Sequence, residues 1–522
     1  MMNEFQNEIN RTNSMQLTEN GAVGYSTTGN ILVDLNFKVP SFRKGVPIDS
    51  LFAFEDAMKE NLNYAIKWMF FLRDARSGLG EKKAFVDFFT QFFSFDRTRA
   101  ARVISLVGEY GRWKDLFDIM KYANNDELKG VCFNVIKNQL KADIDNFTEG
   151  KSISLLAKWV PSINASDSAR PMALELRDYL GLSSKEYRQM LSKLRKHLNV
   201  VERMTCAKQW GEIDYEKVPS KANLRYKDAF LKHDGQRRQE FLDAVLDDTN
   251  ENKPKMNATV LFPHEIWSKY VHQNESRWVN YNKLNPDMSL EALWKNLKDV
   301  TSGGNTMVVC DGSGSMDCSV GGSKNVQAID VSRSLSVYFA ERCTGEFNGK
   351  YIEFSDRPRF IDISGCSTLL SKIKVAAQYN DCSNTDIEKV FMLILSTAVK
   401  NHMKQSDLPE RILIISDMEF DSATTINRWN GNFQSRMNTL FENITMQYEQ
   451  AGYKMPKLVF WNVSSRTNTI PMKDNDLGVT LVSGFSTNIA ELVMSGKTDP
   501  WEVLKEKLDS DRYSLIDKAL GE

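Results

Sequence analysis

Nothing in this 522-residue sequence is apolar for long enough to cross a bilayer: runs such as Phe391–Leu395 fall far short of the roughly 20 residues a membrane helix needs. Residues 1–20 are polar and lack the apolar stretch of a secretory signal. Cysteine is scarce and scattered. The seven residues, at 132, 206, 310, 318, 343, 366 and 382, show no C-x-x-C spacing, which argues against a structural zinc site or a disulfide framework. A reducing cytoplasm is the expected setting. Net charge is also nearly absent, with 67 basic against 68 acidic residues and a balance of -1, so attraction to nucleic acid or an anionic surface must come from local patches. The five histidines, at 197, 233, 264, 272 and 402, lie away in sequence from the acidic motifs described below. A hydrolase would therefore lack an evident general base, and a non-catalytic protein is expected.

What remains, 42% hydrophobic and 26% charged residues, is ordinary for a folded soluble protein, and the length calls for at least two domains. Residues 1–48 are rich in Asn, Thr and Gly without a sustained apolar period, and predict an extended or disordered arm. From 49 to 295 apolar residues recur at helical spacing, as in Leu62, Ala65, Ile66, Met69 and Phe70, or Ala84, Phe85, Phe88, Phe89 and Phe92. Breaks at Gly78, Gly111 and Gly181 separate the helices, with no convincing strand between them. This predicts an all-α domain of stacked helical pairs, HEAT-like in arrangement. A linker is expected over 284–304, ending in Ser302-Gly303-Gly304.

From 305 to 522 the texture becomes alternating strand and helix. Strands are expected over 306–310, 351–354, 411–416 and 457–463, with helices over 326–343, 386–399 and 434–451. Such alternation predicts a mostly parallel, Rossmann-like sheet covered on both faces, with its ligand crevice at the carboxyl ends of the strands.

Asp311-Gly312-Ser313-Gly314-Ser315 falls at one such end, and places a carboxylate and two hydroxyls on one tight loop, with glycines expected to permit a sharp turn. Asn384-Thr385-Asp386 opens a later helix, and Ile414-Ile415-Ser416-Asp417 closes a strand with a carboxylate. An all-oxygen set of this kind suits Mg²⁺, or Mn²⁺ in its place, rather than a softer metal. The pattern resembles the von Willebrand A family and its metal-ion-dependent adhesion site. The resemblance implies that Ser313, Ser315 and Thr385 contact the ion, that Asp311 and Asp417 act directly or through water, and that an acidic group of a protein partner completes the shell.

In the helical region, Phe71-Leu72-Arg73-Asp74-Ala75-Arg76-Ser77-Gly78-Leu79-Gly80-Glu81 and Tyr110-Gly111-Arg112-Trp113-Lys114-Asp115-Leu116 each join two helices and gather Arg73, Arg76 and Arg112 at the turns. These segments resemble the TROVE domain, the helical RNA-binding ring of the Ro autoantigen, which likewise precedes a von Willebrand A domain. An uncharacterised TROVE-related family of bacteria, phages and eukaryotes is a closer match. It is carried by Leu155-Leu156-Ala157-Lys158-Trp159-Val160-Pro161-Ser162, Phe460-Trp461-Asn462-Val463 and Val482-Ser483-Gly484-Phe485-Ser486. RNA binding, to small structured or single-stranded RNA, is what this resemblance implies.

Composition adds local support. Between Lys185 and Arg238 stand 14 basic and 7 acidic residues, and Arg195, Lys196, Arg203, Lys208, Lys221, Arg225, Lys227, Arg237 and Arg238 dominate the excess. Such a stretch can neutralise phosphates, and the interleaved Tyr187, Trp210, Tyr215 and Tyr226 could stack on unpaired bases. Solvated helix faces and core aromatics read the same way in sequence. The competing function is a metal-dependent interaction scaffold in which RNA plays no part.

Overall fold

A computed structural model describes residues 15–17, 23–198, 200–272, 279–301, 305–320, 326–354, 357–379, 387–418, 435–464, 479–483 and 499–521. The chain divides into two compact units, one of residues 1–57 with 258–509 and the other of 58–257 with 510–522. The first is mixed α/β and the second helical. Among the described residues no helix is long and apolar enough to cross a membrane.

The α/β unit carries a two-stranded antiparallel ribbon, β1 (Met15–Leu17) with β2 (Val23–Tyr25), and a six-stranded sheet. The sheet strands are β3 (Thr306–Asp311), β4 (Lys350–Phe354), β5 (Arg359–Asp362), β6 (Arg411–Ser416), β7 (Lys457–Asn462) and β8 (Val479–Ser483). Their order is β5-β4-β3-β6-β7-β8; all neighbours run parallel except β5, which pairs antiparallel with β4. The chain thus winds outward from β3 in one direction and, beginning at β6, in the other, which makes β3 and β6 the strands of the topological switch. Alternation along the strands separates the faces. Met307, Val309, Ile352, Phe354, Ile412, Ile414, Leu458 and Phe460 share one cluster with Val390, Phe391 and Ile394 of the Ile387–Lys400 helix and with Ile444 and Tyr448. Towards the other face, Cys310 Sγ lies 3.3 Å from Ser332 Oγ on the Ala328–Ala340 helix.

Every residue of that helix is buried, including Asp330, Ser332, Arg333, Ser334 and Ser336, because the Pro263–Val271 helix packs against it. Residues expected to lie in the helical domain and its linker therefore belong to the sheet's own covering. Leu290, Leu293, Trp294, Leu297 and Val300 are buried, Trp294 Nε1 donates to Glu341 Oε1 at 2.9 Å, and Tyr338 Oη donates to the Lys298 carbonyl. The linker expected over 284–304 is thus packed structure as far as 301. Glu291 accepts from the amides of Leu369 and Leu370, at 2.6 and 3.1 Å, and so caps the Leu369–Gln378 helix, where a carboxylate meets the positive end of the helix dipole.

The expected N-terminal arm is likewise corrected over its described part. Ile31–Phe37 is a helix, Asn30 caps it, and Phe37 enters the sheet core while its carbonyl accepts from Asn462 Nδ2 at 3.1 Å. Asp34 is buried beneath Thr27 and Thr28, which donate to it; burial raises its pKa in spite of those bonds.

In the helical unit Leu62–Arg73 packs on Lys83–Phe95, Lys83–Phe95 on Trp113–Ala123, Trp113–Ala123 on Asp126–Thr148, and the last on Ser184–Leu198. The Ser514–Leu520 helix, expected in the α/β domain, packs here instead, against Leu62–Arg73 and Arg97–Val103.

Candidate metal centre and basic cavity

Parallel pairing of β3 with β6 sets Cys310 opposite Ile415, so Asp311 and Ser416 end the two strands side by side. Ser416 Oγ donates to Asp311 Oδ2 at 2.5 Å, and the Ser313 amide donates to Asp311 Oδ1 at 2.9 Å. A 3₁₀ turn, Gly314–Asp317, follows Ser313 at once and brings the hydroxyls of Ser313 and Ser315 to 2.9 Å from each other. Asp417, only 1% exposed, stands one residue beyond the end of β6. The next residue, Met418, is buried at φ 64 and its amide donates to Ser416 Oγ at 3.0 Å. A left-handed, non-glycine residue costs about 1–2 kcal/mol, a strain typical of functional turns. It ends β6 abruptly at the carboxylate.

The loop glycines play a different part from the one expected. Neither Gly312 nor Gly314 has a positive φ, and a Cβ added to Gly312 would meet Glu353 Oε1 at an ordinary 3.5 Å. The 3₁₀ turn, not left-handed glycine, bends the chain. Sequence reading also missed the buried Glu353, whose Oε2 accepts from Arg359 Nε at 2.9 Å across the β4–β5 pair, and the bonding role of Ser416. The signal for Ser416 was its place beside Asp417; its partner could be known only from strand register.

Thr385 lies outside the described residues. The other expected ligands, Asp311, Ser313, Ser315 and Asp417, are brought to the carboxyl ends of the two switch strands. Their donors are carboxylate and hydroxyl oxygens, which fit a hard divalent cation such as Mg²⁺. Among the described residues no group of three or more His, Cys, Asp or Glu side chains is arranged to hold a metal; this centre offers two carboxylates with hydroxyls.

The basic stretch of the helical unit divides in two. Arg238 is fully buried, stacked over Tyr215, Phe230 and Phe241 at 4.9–5.4 Å, and donates to Asn223. Arg237 donates to the carbonyls of Gly211 and Ile213 and to Asp234, all at 2.8 Å. Both brace the fold, so Arg238 is excluded as an RNA contact and Arg237 is already engaged. Lys227 pairs with Asp228, whereas Lys208 and Arg225 are exposed. Of the aromatics expected to stack on bases, Tyr187 and Tyr215 are core, and Trp210 already stacks on His233, with ring centroids 4.6 Å apart.

Arg195, Lys196 and Arg203 instead line one cavity of about 570 Å³, together with Arg188, Ser162, Ile163, Asn164, Tyr187, Leu191 and Ser192. Arg195 donates to the carbonyls of Ala157 (2.8 Å) and Val160 (2.6 Å) and to Ser162 Oγ (2.7 Å), while Tyr187 Oη donates to the Pro161 carbonyl at 2.8 Å. The Leu155–Ser162 motif is thus a short helical turn, Leu156–Trp159, and the segment after it, whose carbonyls are held by one guanidinium and one phenol. Burial lowers the pKa of Arg195.

Arg73 and Arg112, two of the arginines gathered at the helix turns, converge on Asp115. Arg73 Nε donates to Asp115 Oδ2 at 2.6 Å, and Arg112 Nη2 to Oδ1 at 2.9 Å. Next to them Arg512 donates to Asp74 at 2.8 Å and to Glu109, and Tyr513 stacks on Tyr110. Gly78 is required because a Cβ there would lie 2.0 Å from the Phe71 carbonyl oxygen. The two motifs are structural.

Comparison with known proteins gives two matches along the chain. Residues 305–517 match a family described as "Domain of unknown function (DUF7788)", and residues 164–304 match "Domain of unknown function (DUF2828)"; their junction falls at the start of β3. A relative, "Uncharacterized protein L728" of Acanthamoeba polyphaga mimivirus, is 29% identical over 532 residues, which covers 95% of this chain and 87% of that protein.

Proposed function

We propose that this chain is a non-catalytic binding protein whose α/β unit is a von Willebrand A domain, holding Mg²⁺ or Mn²⁺ through Asp311, Ser313, Ser315, Thr385 and Asp417 and docking an acidic group of a protein partner on the ion. One observation carries the reading: two buried carboxylates, Asp311 at the end of β3 and Asp417 one residue beyond β6, stand at the two strands of the topological switch, and the Ser313–Ser315 hydroxyl pair follows the first. Hydroxyl ligation leaves a divalent cation under-neutralised, so an incoming carboxylate is attracted. The ion and its ligands meet only in the folded state, so MgCl₂ should raise the melting temperature of the full chain, by about 2.7 kcal/mol of stability at a hundredfold excess over Kd. Asp311→Ala should abolish the rise. Equal Mg²⁺ stabilisation of wild type and variant in calorimetry would show the assignment to be wrong.

A second reading concerns the helical unit, taken as a TROVE-like, HEAT-like array that binds RNA and makes the protein a ribonucleoprotein component. It is favoured by the cations that line one cavity, Arg188, Arg195, Lys196 and Arg203, with the exposed Lys208 and Arg225 elsewhere on the same unit. Single-stranded RNA should bind with an affinity that falls as salt rises, since each phosphate contact releases counterions. Filter binding at two salt concentrations decides it. Absence of binding at low salt leaves the metal-dependent scaffold as the function.

A further inference from the structure

The cavity beside the Leu155–Ser162 segment gathers charge of one sign. Four of its ten lining residues are cations, and none is acidic. Several arginines elsewhere in this unit meet carboxylates: Arg73 with Asp115, Arg97 with Glu127, Arg99 with Asp96, Arg512 with Asp74. Here Arg195 is half-buried, its three bonds go to neutral oxygens, and among the described residues no carboxylate pairs with it. Arg203 Nη1 donates to Gln209 Oε1 at 3.2 Å. Arg188 Nε donates to the Ser184 carbonyl, and Lys196 reaches solvent on the same helix.

The helix creates this face by its period. Arg188, Ser192, Arg195 and Lys196 recur every three or four residues beside the core positions Tyr187, Leu191 and Leu194. Ser162, Ser192 and Asn164 add neutral hydrogen-bonding groups, and the volume of about 570 Å³ lies within the range of small-ligand sites. Arginine forks match phosphate oxygens in pairs. A lone carboxylate brings only one charge to this set. A phosphate monoester brings close to two.

We infer that the cavity lined by Ser162, Asn164, Arg188, Arg195, Lys196 and Arg203 receives a terminal phosphate monoester of a nucleotide, presented by an RNA end or by a free mononucleotide. The RNA-end form rests on the RNA reading above; the mononucleotide form does not. Arg195 is already spent on the segment, so it positions the wall and supplies the field, while Arg188 and Lys196 are the solvent-reaching cations able to contact the phosphate.

The test uses the full chain and fluorescence anisotropy with one short single-stranded RNA prepared with a 5′-phosphate or a 5′-hydroxyl, and adenosine 5′-monophosphate as competitor. The phosphorylated RNA should bind about tenfold or more tightly than the hydroxyl form, as charge-assisted phosphate contacts require. R188E/K196E should erase that difference; circular dichroism checks the fold, and R188Q and K196Q singly should each reduce the difference. Displacement by adenosine 5′-monophosphate identifies a free nucleotide as sufficient, and preference for the phosphorylated RNA without displacement identifies the chain end. Mononucleotide binding without any RNA binding would end the RNA reading and keep the cavity assignment. Equal binding of the two RNAs with no mononucleotide binding would overturn the inference and leave general RNA binding standing.

Discussion

Asp115 and Asp311 are both about 1% exposed, and their surroundings put the same side chain to opposite uses. Asp115 sits between two guanidiniums, Arg73 and Arg112, and its amide-side partner is the Arg112 N–H at 2.9 Å. Its charge is spent inside the helical unit on joining two helix ends. Asp311 accepts from a backbone amide and a serine hydroxyl, neutral donors that fix its orientation at the strand end. The first arrangement is a structural clamp and the second suits a ligand. Burial and residue type therefore do not separate the two; the chemistry of the donors does.

Removing the clamp should produce the largest effect. Arg73→Ala leaves Asp115 buried beside Arg112 alone, and loss of one partner from a buried pair costs about 3–5 kcal/mol. Urea unfolding of the full chain should show the helical transition displaced by that amount. Asp311→Ala should instead destabilise mildly while it removes the Mg²⁺ response. A cost for Asp311→Ala as large as that for Arg73→Ala would mean that Asp311 too is a clamp, and the contrast would fail.

A finer change tests the same clamp by geometry. A Cβ on Gly111 would lie 2.5 Å from Asp115 Oδ2, 3.0 Å from Arg73 Nε and 3.0 Å from the Val107 carbonyl oxygen. Gly111→Ala should force the pair apart and cost about 1–3 kcal/mol, as overpacking does. Gly312→Ala, whose nearest neighbour would be Glu353 Oε1 at 3.5 Å, should cost less in the same assay.

Much of the α/β unit was legible because its signals are local. Buried runs such as Arg411–Ser416 and the helical period of Ile387–Lys400 announce themselves, and Asp311, Ser313 and Ser315 occupy one short loop. What escaped depends on distance. The bond from Ser416 to Asp311 spans 105 residues and follows from strand register. The edge strand Arg359–Asp362 has one buried residue in four, so it carries no apolar run. Ile31–Phe37 buries Asp34 and Asn36 along with its leucines, and those polar residues made it read as loop. Counting charges could not tell Arg238 from Lys196, because the aromatic box of Tyr215, Phe230 and Phe241 is assembled from three separate segments.

The smallest expected effect comes from pH at the edge of the clamp. Tyr110 is 1% exposed, its hydroxyl donates to the Arg512 carbonyl at 2.8 Å, and burial pushes its pKa up to about 12, with Arg512 opposing the shift. A folded-state pKa raised above the ordinary phenol value near 10 means that the folded state holds the proton more tightly. Its contribution is fully present below pH 10 and is lost as pH rises from 10 towards 12. A rise of that size corresponds to at most about 2–3 kcal/mol, spread over that window. Tyr110→Phe should cost about 1 kcal/mol at neutral pH, for the lost hydrogen bond, and should make the alkaline decline of the helical transition shallower. Other buried tyrosines, Tyr513 among them, titrate high as well, so the readout is the difference in slope between variant and wild type. Identical slopes would mean that the phenol ionises near its ordinary value, and that the edge of the clamp is open to water where the packing of Tyr110 on Tyr513 closes it.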